Sequence, residues 1–87
     1  MTECLRIGQK KFIAYLSAAE HILKRDGIVY VEAAGKRVQN ACYLAAVCQT
    51  KGCKISDIMF DLIDHENKKF TKIQYTVEGE PNNEYTQ

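Results

Sequence analysis

Gly35, Lys36 and Arg37 are the residues whose types and spacing speak most directly of chemistry. Before them stands a run of β-branched and aromatic residues, Ile28, Val29, Tyr30 and Val31, which reads as a buried strand. After them Val38, Ala41, Cys42, Ala45 and Cys48 recur at intervals that predict a helix. The two cations therefore fall where a helix begins. Helix N-termini offer free N–H groups and the positive end of the dipole, and so favour anions. Cations at that end oppose the dipole and do nothing for the helix. A negative group seated over the turn would account for them, and so would plain solvation of two surface charges. Lys10 and Lys11 repeat the arrangement. They follow Gly8 and Gln9 and precede Phe12, Tyr15, Leu16, Ala19, Ile22 and Leu23, the stripe of an amphipathic helix.

Other residues offer weaker chemistry. Asn40, one turn into the second helix, can donate to a phosphate or a base, or face water. Lys68 and Lys69, with Lys72 close by, lie at a hairpin tip, where charge serves solubility as readily as binding. Tyr30 and Tyr43 have the rings that RNA readers stack on bases. The mid-strand place of Tyr30 points to core packing, while Tyr43 is open to either role. No catalytic machinery is expected. Asp57, Asp61 and Asp64 form a row without a histidine partner, and neither His21 nor His65 has an acid and a nucleophile beside it. Asp64, His65 and Glu66 lack a recognisable ligand spacing. Cys4, Cys42, Cys48 and Cys53 contain no CxxC pair, so no zinc site is expected and no cofactor is called for.

The elements that must hold these residues follow in order. Residues 4–8 form a short strand ending in glycine, and the first helix stops at Asp26-Gly27, with Lys24 and Arg25 in its last turn. A strand over 28–33 and a helix over 37–50 come next, closed by Lys51-Gly52. The period then changes to two: Ile58, Phe60 and Leu62 alternate with Met59, Asp61 and Ile63, and Thr71, Ile73, Tyr75 and Val77 alternate with polar neighbours. The polar residues 64–69 read as the hairpin loop. The order βαβαββ predicts an α/β two-layer sandwich, a four-stranded mixed sheet with both helices on one face. Each βα turn lies beyond the C-terminal end of its strand, so the two basic turns should share one end of the sheet.

The totals set bounds on the partner. A chain of 87 residues, 46% of them hydrophobic, makes one small domain with a two-layer core. Its net charge of +1 conceals an uneven distribution: Glu78, Glu80 and Glu84 lie at the end, which leaves 12 bases against 8 of the 11 acids over residues 1–77. A modestly basic body with an acidic tail suits a nucleic-acid binder. Neither a signal peptide nor an 18-residue apolar run is found, so neither secretion nor a membrane role is expected. Reduced thiols fit the cytoplasm or the nucleus.

Three pieces together resemble the Alba family of DNA- and RNA-binding proteins. They are Ile7-Gly8-Gln9-Lys10-Lys11 through Tyr15; Val29 to Lys36 with Val38 and Ala41; and Thr71 to Val77. The resemblance implies a βαβαββ fold over residues 1–78; residues 79–87, with their charges, Pro81 and two asparagines, read by composition as an acidic, disordered tail. It implies a dimer that binds RNA or DNA without catalysis, either a homodimer or a heterodimer with a related chain. Related eukaryotic proteins are subunits of RNase P and RNase MRP. Where the family carries Gly-Lys-Lys-Pro, this chain has Gly8-Gln9-Lys10-Lys11; where it carries Arg-Gly-Arg, this chain has Ala34-Gly35-Lys36, with Arg37 one place later. The expected nucleic-acid contacts are thus Lys10, Lys11, Lys36, Arg37, Asn40, Lys68 and Lys69. The short, mixed-charge hairpin loop favours RNA over duplex DNA.

Overall fold

The computed structural model describes residues 2–81. The chain runs β1 (Cys4–Arg6), α1 (Phe12–Asp26), β2 (Ile28–Ala34), a 3-10 turn (Gly35–Arg37), α2 (Val38–Thr50), β3 (Lys54–His65) and β4 (Lys68–Glu78). α1 buries Tyr15, Ala19, Ile22 and Leu23, the three- and four-residue spacing that puts side chains on one face. Its end is fixed by Gly27, whose N–H donates to the Leu23 carbonyl at 2.8 Å. α2 buries Ala41, Leu44 and Cys48. Cys42, expected on the buried stripe, is exposed. The stripe is set by the larger Leu44, and Cys42 lies about 100° round the helix from Ala41.

The sheet order is β1-β2-β4-β3, with β1 parallel to β2 and the other pairs antiparallel. α1 lies on β1 and β2, and α2 on β2, β3 and β4. Beneath them alternate residues of two strands, Val29, Val31 and Ala33 with Ile73, Tyr75 and Val77, form the floor of the core. The Tyr75 hydroxyl donates to the Ala41 carbonyl at 2.6 Å and ties α2 to the sheet. Lys51, just past α2, is paired with Glu20 of α1. Burial pushes the Cys48 thiol up to about 11 and raises that of Cys53, so both act as small apolar side chains.

The hairpin departs from expectation. β3 starts at Lys54, ahead of the residues that alternate visibly. Ser56 pairs with Thr76 and Met59 with Gln74, so Asp57 and Ile58 together face Tyr75 in a β-bulge, with Asp57 at φ 53°. The extra residue shifts the phase of alternation, which hides residues 54–56 from a period-two reading. At the other end, the loop expected over 64–69 is largely strand. Pairing continues to His65 and Lys68 and closes through Glu66 and Asn67, at φ 50° and 64°. Positive φ at both positions matches the twist of a two-residue hairpin turn. β2 ends at Ala34, opposite Lys72, so the outer hairpin runs on past it as an arm. The longest dimension of the molecule is 47 Å.

At the C-terminal side the Gly79 N–H donates to the Gly27 carbonyl at 3.0 Å, and Pro81 is buried. Of the tail expected over residues 79–87, residues 82–87 lie outside the described residues.

Candidate nucleic-acid interface

β1 and β2 are adjacent and parallel, with Arg6 opposite Glu32, so the chain leaves both at the same end of the sheet. Lys10 and Lys11 lie between β1 and α1; Lys36 and Arg37 lie between β2 and α2. Neither helix has a side-chain cap or an acid in its first turn. Each therefore begins with backbone donors that no side chain caps, beside a pair of cations. Lys10, Lys11 and Lys36 are exposed, while Arg37 and Asn40 are half-buried.

The two turns are built differently. The first is braced by the buried Tyr15, whose hydroxyl accepts the Lys10 N–H at 3.0 Å. A Cβ on Gly8 would stand 3.1 Å from that hydroxyl, so a glycine lets the turn close around it. The second turns on Gly35 at φ 62°, a left-handed conformation that side chains disfavour. There a Cβ would stand 3.6 Å from Cδ1 of Phe70.

Lys68 and Lys69 are at the tip of the arm. Lys72 marks the end of β2, so Lys68 lies about 13 Å further out in the same direction as the two turns. These cations have counter-charges across the hairpin: Asp64 is opposite Lys69 and Asp61 is opposite Lys72. The carboxylate row does not form. Asp61 and Asp64 stand on opposite faces of the arm, and Asp57 sits in the bulge.

The aromatic side chains are placed less as expected. Tyr30, expected to pack in the core, stands on the helix-free face between Cys4 and Thr76, 39% exposed. It alternates with the buried Val29 and Val31, and only one side of the sheet is covered. Tyr43 is exposed and tilts against Phe12, ring centroids 4.8 Å apart. Phe70 is not among the expected site residues. It lines an open hollow of about 480 Å³ together with Ala34, Gly35, Lys36 and Arg37. The signal was present: counting back by twos from Val77, Tyr75 and Ile73 leaves Phe70 on the face away from the helices.

No protein-family model matches the sequence, and no curated protein matches it. Solved structures do match. Alba from Thermoplasma volcanium superposes with a TM-score of 0.73 over 86% of this chain and 98% of its own, at 18% identity. ALBA1 from Trypanosoma brucei superposes with a TM-score of 0.75 over 88% of this chain and 68% of its own, also at 18% identity. The chain has the Alba fold. The expected α/β architecture, a four-stranded mixed sheet with two helices, is this Alba fold. In it, both cation pairs leave one end of the sheet and the arm projects from the same end. Among the described residues, no group of three or more His, Cys, Asp or Glu could hold a metal ion, and no helix is long and apolar enough to cross a membrane.

Proposed function

We propose that this protein binds nucleic acid through phosphate contacts, without catalysis and as a dimer, with RNA preferred to duplex DNA. One observation carries the reading: two βα turns, each with a cation pair and without a side-chain cap, at one end of an Alba fold. Lys10, Lys11, Lys36 and Arg37 grip phosphates, Asn40 adds a donor, and Lys68 and Lys69 extend the surface. Such contacts give affinity without choosing a sequence. The arm supports RNA over duplex DNA. Residues 58–72 hold Asp61, Asp64 and Glu66 against Lys68, Lys69 and Lys72, so the arm offers no net positive track to a duplex groove. Met59, Phe60 and Leu62 are each more than 60% exposed on β3, and a second copy of the chain covers them in this reading.

The test is fluorescence anisotropy of the purified protein with single-stranded RNA, duplex RNA and duplex DNA at two salt concentrations. Salt-sensitive binding with RNA ahead of duplex DNA is expected; salt-independent binding, or none, would refute the reading. The same apolar surface favours a second reading, a structural subunit paired with a related chain in a ribonucleoprotein of the RNase P or RNase MRP kind. Light scattering at tens of micromolar separates the two. A homodimer supports the first; a monomer that binds RNA only after a related chain is added supports the second.

A further inference from the structure

We propose that the hollow between Phe70 and the Gly35–Arg37 turn holds one unstacked base of a single-stranded nucleic acid, with Lys36 and Arg37 on its phosphate. This rests on the reading of those two cations as phosphate contacts and adds what the backbone they hold must look like. The hollow, about 480 Å³, is of the size that small-molecule sites occupy. Phe70 and Ala34 line it together with Gly35 and the two cations, Lys36 and Arg37. An occupant that satisfies both the ring and the cations is flat and aromatic at one end and anionic at the other, which describes a nucleotide. Phe70 is half-buried and is not among the residues that pack on the core cluster, so its ring is not needed to fill the body. Gly35 leaves the space beside Phe70 Cδ1 free of a side chain. A duplex can offer this place only phosphates, because its bases are paired and stacked. A single strand can offer both parts, and stacking of a base on an aromatic ring is the usual way such strands are held.

The experiment compares a single-stranded RNA 12-mer with a 12-mer of equal charge whose central nucleotides are abasic. Wild-type protein should bind the intact strand about 5- to 150-fold more tightly, the range that stacking of a base contributes. Phe70→Leu should abolish that preference while leaving the salt slope unchanged, and Phe70→Tyr, which keeps a ring, should retain it. Equal binding of both strands by the wild-type protein would overturn the inference without needing any variant to fold. So would an unchanged preference in folded Phe70→Leu, or a change in its solution mass, which would place the ring between copies. Lys36→Glu with Arg37→Glu separates the two claims. If that folded variant keeps its affinity and salt slope, the phosphate reading itself fails; if it loses both while the wild type ignores the missing bases, only the present inference fails.

Discussion

Ile73 and Phe60 are cross-strand neighbours on one face of the hairpin, yet Ile73 is 4% exposed and Phe60 66%. The boundary between body and arm passes between them. On the body side, Ile73, Tyr75 and Val77 lie under the helices. On the arm side, Phe60 and Leu62 continue the same face and are exposed, with none of the described residues covering them. Alternation fixes which side of a sheet a residue faces. Only the neighbouring elements decide whether that side is covered. Apolar side chains therefore mean core in the inner half of the hairpin and an unpartnered surface in the outer half.

The largest effect that can break this contrast is on stability. Leu44→Ala removes a fully buried side chain beneath α2 and should cost about 2–5 kcal/mol in denaturant unfolding, at any protein concentration. Phe60→Ala should behave otherwise. At high dilution its effect should stay within about 0.5 kcal/mol, as for other surface positions. At tens of micromolar the wild type should gain stability that the variant lacks, because association stabilises by mass action. A large, concentration-independent loss in Phe60→Ala would show that the ring packs on its own body, and the contrast would fall.

The second effect is on binding, and it sets the cations of the body against those of the arm. Each lost phosphate contact should reduce the slope of log K against log salt by about 0.7–0.9. Lys36→Glu with Arg37→Glu should thus flatten the slope and weaken binding across sequences, with folding intact. Lys68→Glu with Lys69→Glu should do less, because Asp64 stands opposite Lys69 and Glu66 is in the adjoining turn. The order of the two variants is the result to measure. If the arm pair matters more, the binding surface is centred on the arm rather than on the βα turns.

These differences also mark what the sequence could and could not convey. Helical stripes and the Gly-basic turns were legible because each is local: Tyr15, Ala19, Ile22 and Leu23 lie within one helix. The bulge was not, because Asp57 changes the phase of β3 relative to a strand that follows eleven residues or more later in the chain. Only the outer end of the arm reads as a loop, because residues 64–69 are polar, although pairing runs out to His65 and Lys68. Polar residues and paired backbone are compatible there, because both sides of the arm's end are exposed, which is a tertiary fact. Of the candidate site, the cations and the face on which Phe70 stands are legible in the sequence; the closeness of Phe70 to Gly35 is not, since it depends on the pairing of β4 with β2. Tyr30 is exposed for the reason that separates Ile73 from Phe60: a strand position says nothing about coverage.

The smallest effect draws the comparison within the body, between two tyrosines that each use one hydroxyl. Tyr75 donates to Ala41 deep under α2, whereas Tyr15 accepts the Lys10 N–H at the first basic turn. Replacing either by Phe keeps the ring and removes one hydrogen bond, with an expected loss of about 1 kcal/mol in unfolding free energy. Their effects on binding should differ. Tyr75→Phe changes a contact at the Ala41 carbonyl, one turn along α2 from Arg37, and leaves the backbone of both basic turns bonded as before, so affinity and salt slope should both hold. Tyr15→Phe frees the backbone at Lys10, so Lys10 and Lys11 must be ordered when the phosphate arrives. Affinity should fall modestly while the salt slope stays the same, because no charge has been lost. Parallel melting curves and anisotropy titrations of the two variants measure this. An affinity loss in Tyr75→Phe equal to that in Tyr15→Phe would mean that the turn owes its shape to the body as a whole rather than to this one hydroxyl.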